Sequence, residues 1–246
     1  MTHLPLPSRT RSGSGARRSG LAPAPAPAPD RGGGDDGTAE LPNVYRAGAP
    51  FGVGELSAMA REGLLRDILT NVWVEARAGD SPTVRARAAA CAAGPVAYTA
   101  VGGFSAAWVY GCAPVPRRLE LYVSSFQRLP RSAAERMPIR CLEQSLEPAE
   151  IQRVAAVRVA TPLRTAFDLL WREEPDDVVV RTASRLISLR ALAVDAGALH
   201  EAVAGSRRRP GKVRALERLD EAVRRAPRVL ERPAADATEQ PAGQPR

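Results

Sequence analysis

The sequence predicts an α+β protein, and three observations carry that prediction. Short apolar or alternating runs of strand length end at Ala160, and beyond it the apolar residues recur at helical spacing. A helix followed at once by a hairpin pattern stands ahead of both. Strands first and helices later is the order of an α+β domain rather than of alternating βαβ units.

Taken in order, residues 1–40 are rich in Ala, Pro, Gly, Ser and Arg and offer almost no large apolar side chain, so burial cannot offset the entropy of ordering them. They read as a disordered tail with an Ala-Pro stretch that favours extended polyproline II. Residues 231–246 read the same way. Glu55 to Glu62 reads as a short helix with Leu56, Met59 and Ala60 on one side, and Gly63 stands where a left-handed cap is wanted. Leu64 to Leu69 and Val72 to Ala76 read as strands around Thr70-Asn71, where Asn tolerates positive φ. A helix leading into such a hairpin is how the second half of a winged helix-turn-helix is built, so residues 44–78 are expected to form a reduced winged-helix-like module. A full one needs about two more helices before Glu55, and Leu41 to Gly54, with its two prolines and three glycines, is too short for them.

The next region, 83–205, is expected to be a mixed sheet followed by helices. Thr83 to Ala93 is a helix closed by Gly94-Pro95, Val96 to Ala100 a strand, and Phe104 to Tyr110 a helix closed by Gly111. Leu119 to Ser124, Ile139 to Glu143 and Val154 to Ala160 are strands. Helices follow at 162–173, 176–189, 194–204 and 210–225, the last lying in a basic segment at 206–230.

In Ala160-Thr-Pro-Leu-Arg-Thr-Ala-Phe-Asp-Leu-Leu170, Thr161 sits at the N-cap and Pro162 at the first helical position, where its missing N–H costs nothing. Leu163, Ala166, Phe167 and Leu170 are spaced as one core face. Arg164, Asp168 and Arg172 are four apart on the other side, which predicts surface ion pairs.

The chain carries a net charge of +8, and residues 206–232 hold ten Arg or Lys against four Asp or Glu, a local balance of +6. Arg207, Arg208, Arg209, Lys212, Arg214 and Arg218 therefore form a candidate patch for phosphate or an acidic partner. Along 213–223, Val213, Leu216, Leu219 and Val223 form an apolar stripe with Arg214, Arg218 and Arg225 elsewhere on the circumference. Arginine far outnumbers lysine, Lys212 being the sole one, as a GC-rich coding sequence produces, so the arginine total by itself points to no partner.

Catalytic chemistry finds no candidate residues. Of two histidines, His3 lies in the tail and His200 on a helix with no ligand partners in sight, and no serine stands in a GxSxG elbow. Gly205 to Lys212 resembles a phosphate loop, but five residues separate its glycines where the motif has four, and Val213 replaces the magnesium-binding hydroxyl. Glu173-Glu174 and Asp176-Asp177 flank Pro175, where acidic residues favour a helix N-terminus. Cys91, Cys112 and Cys141 are odd in number and set among apolar residues, which predicts reduced thiols in a cytoplasmic protein. No stretch approaches the ~18 apolar residues of a membrane span. The expectation is a protein without catalytic residues, metal or cofactor.

Three blocks, Gly63-Leu-Leu-Arg-Asp-Ile-Leu-Thr-Asn-Val-Trp-Val74, Ala97-Tyr-Thr-Ala-Val-Gly-Gly-Phe-Ser-Ala-Ala-Trp-Val-Tyr-Gly111 and Val157-Arg-Val-Ala-Thr-Pro-Leu-Arg-Thr-Ala-Phe-Asp-Leu-Leu170, resemble in order and spacing those of the AbiEi antitoxins of type IV toxin-antitoxin systems. The likeness covers about residues 44–230, with Thr161, Pro162, Arg164 and Asp168 as its most recognisable signature. It implies an N-terminal winged helix that binds operator DNA, with Arg61 and Arg66 best placed to reach it, and a C-terminal α/β domain that counters a nucleotidyltransferase-like toxin. Many relatives continue into an endonuclease-like domain for which this sequence has no counterpart, so nuclease activity is not expected. The rival expectation is a protein-interaction module that has lost DNA binding.

Overall fold

The computed structural model describes residues 43–48, 50–94, 96–125, 137–206 and 209–230, with the side chains of 227–230 outside that description. The two tails, and Arg207 and Arg208 of the basic segment, lie outside the described residues. The fold is α+β, with one antiparallel and one mixed sheet.

The N-terminal part is β1 (Val44–Arg46), α1 (Val53–Arg61), β2 (Leu65–Leu69) and β3 (Val72–Glu75), with sheet order β1-β3-β2 and both pairings antiparallel. The Glu55 carboxylate accepts from the Gly52 N–H at 2.7 Å, satisfying one of the orphan donors at the start of α1. Gly63, at φ +76°, ends the helix, and Asn71, at φ +58°, makes the hairpin turn. Leu56, Leu65 and Trp73 bury one another between α1 and the sheet. The sequence reading missed β1, since three residues are too few to show alternation. Its pairing with β3, Val44 opposite Val74 and Arg46 opposite Val72, is what creates the strand.

The helix α2 (Pro82–Ala93) packs on both sheets. Ser81 caps it by accepting from Val84 N at 3.3 Å, and its alanines at 86, 88, 89, 92 and 93 are buried. Small side chains let its backbone approach both neighbours, so the apolar core continues from Ile68, Leu69, Val72 and Val74 into the second sheet.

That second sheet contains β4 (Ala100–Val101), β5 (Leu119–Val123), β6 (Ile139–Glu143), β7 (Ile151–Val154) and β8 (Val157–Ala160), in the order β6-β5-β4-β8-β7. β5 runs parallel to β6 and β4 parallel to β8, while β4–β5 and β7–β8 are antiparallel. All five residues of β5 are buried, as expected of a strand in the sheet interior. Between β4 and β5 lies the short helix α3 (Gly103–Val109).

Two strand expectations need correction. The strand expected at 96–100 contracts to Ala100–Val101, and the one expected at 154–160 is the second half of a hairpin. Its turn is Ala155-Ala156, at φ +48° and +64°, which is the backbone of a type I′ turn made without the Asn or Gly that would announce it.

The helices α4 (Pro162–Leu170), α5 (Asp176–Ser188), α6 (Ala196–Gly205) and α7 (Lys212–Leu230) complete the fold. Thr161 caps α4, its hydroxyl accepting from Arg164 N at 3.3 Å. The face of α4 differs from expectation. Leu163 is exposed, whereas Thr165, Ala166, Asp168, Leu169 and Leu170 are buried, so the helix is rotated to bring its acid inward. The stripe on α7 is also shifted. Val213 and Val223 are exposed, and Ala215, Leu219, Ala222 and Ala226 pack inward together with Arg218. Alanines at helical spacing carry too little apolar signal to be picked over valines.

Candidate functional site

The residues with the most chemistry meet where the sheet gives way to α4. Glu120 and Tyr122 are two apart on β5 and so share a face of the sheet, which places both side chains against the start of α3. Glu120 Oε2 accepts from Phe104 N at 2.8 Å, and the Tyr122 hydroxyl accepts from Gly103 N at 3.1 Å. A Cβ at Gly102 would collide with the Tyr122 ring, and one at Gly103, where φ is +53°, would collide with the Glu120 carboxylate. The paired glycines are what allow the two side chains to reach the backbone there.

From the other side α4 supplies Asp168, only 4% exposed. Its Oδ2 accepts from the Tyr122 hydroxyl at 2.8 Å and from Arg164 Nε at 2.7 Å. Arg164 also donates through Nη1 to Glu150 at 2.7 Å and through Nη2 to Gln144 Oε1 at 3.0 Å. Arg172 pairs with Glu120, and Arg140 Nη1 lies 3.7 Å from the same carboxylate. Arg209, from the loop before α7, lies 4.7 Å from the Trp171 ring centroid and 5.2 Å from that of Phe167, with Nη2 3.9 Å from Asp168 Oδ1. Asp168 Oδ1 itself has no hydrogen-bond partner among the described residues.

The electrostatics follow from burial and pairing. Burial, reinforced by the Asp168 carboxylate beside it, pushes the Tyr122 hydroxyl far above the usual phenol range, so it acts as a neutral donor. Burial pulls Arg164 down, but its pairings with Asp168 and Glu150 outweigh that and raise it. Arg209 is lowered, chiefly by burial. Three carboxylates, Glu120, Glu150 and Asp168, thus face three guanidiniums, Arg164, Arg172 and Arg209. Such a network fixes geometry and leaves its carboxylates committed to partners rather than available as general bases. Among the described residues no group of His, Cys, Asp and Glu is arranged to hold a metal ion, and His200 is exposed.

The ion pairs expected on the surface of α4 are therefore buried, and Arg172 belongs to Glu120 rather than to Asp168. Arg218, in the basic segment, is 3% exposed. It donates to the carbonyls of Leu170 at 2.9 Å, Arg172 at 2.6 Å and Glu174 at 2.9 Å, and bonds Asp176 at 2.7 Å. Arg214 also bonds Asp176 at 2.7 Å, and Lys212 donates to the Ala204 carbonyl. Asp176, at the start of α5, is held below the usual carboxylate range by hydrogen bonds from Arg214 and then Arg218. In the N-terminal part, Arg61 is exposed on the last turn of α1, with Nε 3.4 Å from the Ser57 carbonyl. Arg66 is half-buried and donates to the Ala78 carbonyl at 3.2 Å.

Sequence reasoning missed Glu120, Tyr122, Glu150 and the role of Arg172. One signal was present: a carboxylate in the middle of the strand Leu119-Glu-Leu-Tyr-Val123 is rarely buried without a partner.

No known family model matches the chain, and no curated protein is similar to it. Among solved structures the chain is similar to the RV2827C protein from Mycobacterium tuberculosis, at 18% identity and a TM-score of 0.38. The match covers 69% of this chain and 64% of that one. A likeness at that level carries no functional argument.

Proposed function

We propose that the protein is a non-catalytic, cytoplasmic antitoxin-like regulator of the AbiEi type, acting on a nucleotidyltransferase-like toxin and on operator DNA. The observation that supports this reading is the meeting of two of the sequence blocks that resemble the family. Val101 of the second block pairs in parallel with Val159 of the third, the Tyr110 hydroxyl donates to the Ala160 carbonyl at 2.6 Å, and Gly103 is linked through Tyr122 to Asp168. Residues distant in sequence and alike in pattern thus build one connected polar site. Co-expression with a toxin-like gene encoded beside it tests the reading: rescue of growth is expected, and failure to rescue from a toxic neighbour overturns it.

A second reading, an interaction module without DNA binding, draws support from charge. Residues 43–78 hold Arg46, Arg61, Arg66 and Arg77 against Glu55, Glu62, Asp67 and Glu75, a balance that offers little attraction for phosphates. Titration of the promoter region separates the two. Salt-sensitive binding that weakens in Arg61→Ala supports DNA contact, and no shift at low salt leaves the interaction module.

A further inference from the structure

A cleft of about 710 Å³ opens where β5 begins, where β6 lies beside it and where α4 gives way to the loop before α5. It is lined by Arg118, Arg140, Trp171, Arg172, Glu173 and Glu174. Arg118 is exposed and has no hydrogen-bond or ion-pair partner among the described residues. Arg140 has one carboxylate neighbour, Glu120, at 3.7 Å, beyond hydrogen-bonding distance. The indole N–H of Trp171 and Nε of Arg172 are buried and lack acceptors among the described residues, the nearest carboxylate to the latter being Glu174 at 3.6 Å.

We propose that this cleft binds a phosphate group. Buried donors without acceptors are costly and call for a partner, and the lining is rich in donors that only an acceptor-bearing ligand satisfies. Three guanidiniums converging on one opening suit phosphate in particular, because each planar fork presents two parallel N–H groups to a pair of oxygens. Glu173 and Glu174 oppose the charge of the ligand, which confines it to the side formed by Arg118, Arg140 and Arg172. Because Glu120 carries Arg172 and approaches Arg140, the cleft is braced by the same polar network that joins β5 to α4. The inference stands apart from the antitoxin reading and survives its failure.

Calorimetric titration of the full chain at low ionic strength with pyrophosphate, ATP and a 5′-phosphorylated single-stranded oligonucleotide tests it. Saturable binding of at least one probe is expected. The double variant Arg118→Gln, Arg140→Gln should weaken binding about tenfold or more, as loss of charge-assisted bonds requires, with its thermal midpoint unchanged because both side chains are exposed. Binding of ATP in competition with pyrophosphate assigns the phosphate to a free nucleotide. Binding of the oligonucleotide alone, with a salt slope lowered by about two in the double variant, assigns it to a nucleic-acid backbone. Glu173→Gln should tighten the binding in either case. The proposal is overturned if no probe binds at millimolar concentration, or if the double variant binds as tightly as the parent.

Discussion

The Tyr122 hydroxyl donates to Asp168 across 46 residues of chain while accepting from the Gly103 backbone, so a single oxygen joins β5, the start of α3 and α4. Replacing it removes both bonds without changing the packing of the ring. Tyr122→Phe is expected to lower stability by about 1–3 kcal/mol, because a buried N–H and a buried carboxylate oxygen each lose a partner. Urea unfolding measures this, and a midpoint unchanged within error would contradict it.

Arg218 bonds three carbonyls that follow the end of α4 and does so as a buried fork. A lysine ammonium is a point donor on a flexible stem and does not reproduce that fork. Arg218→Lys should therefore destabilise nearly as much as Arg218→Met, each by about 2–4 kcal/mol. Recovery of parental stability in the lysine variant would show that charge alone matters at this position.

Thr161→Ala removes the N-cap of α4 and is expected to cost about 1 kcal/mol. Thr161→Ser keeps the acceptor and should recover most of that loss, with denaturation midpoints in the order parent, serine, alanine. An alanine variant as stable as the serine one would remove the cap from the account.

Burial pushes the Cys112 thiol from its ordinary value of 9.0 up to about 12. The unfolded chain therefore releases this proton first, and between those values the folded state binds one proton more than the unfolded state. Stability should fall as pH rises above 9, at about 1.4 kcal/mol per unit for this group. Tyr110 and Tyr122, raised in the same sense by burial, add to the fall above pH 10. Cys112→Ala should flatten the curve between pH 9 and 10, and an identical curve in the variant would rule out the thiol as its source.

How much of this was legible depended on distance along the chain. The start of α4 could be read because Thr161, Pro162 and the apolar residues after them act on their immediate neighbours. The hairpin at Ala155-Ala156 could not, since alanine has no preference for the left-handed backbone it adopts there and the pairing of β7 with β8 imposes it. Asp168 was legible as a partner of Arg164, four residues away, but not as a buried group, because its burial depends on Tyr122. The link between Glu120 and Arg172 spans 52 residues and leaves no periodic trace in the sequence. Local chemistry is written locally, whereas this site is assembled by the order of strands in the sheet.

The guanidinium of Arg218 also acts on the chain as a polymer. It ties α7 to the Leu170 carbonyl, 48 residues earlier, and so closes a large loop around α5 and α6 without a covalent crosslink. Such a tie forms only after the loop has paid its closure entropy, which makes the docking of α7 a late event and cooperative with α4. Trimming the chain before Lys212 would then do more than remove positive charge: it would leave three carbonyls without their donor and release the two helices that the loop encloses.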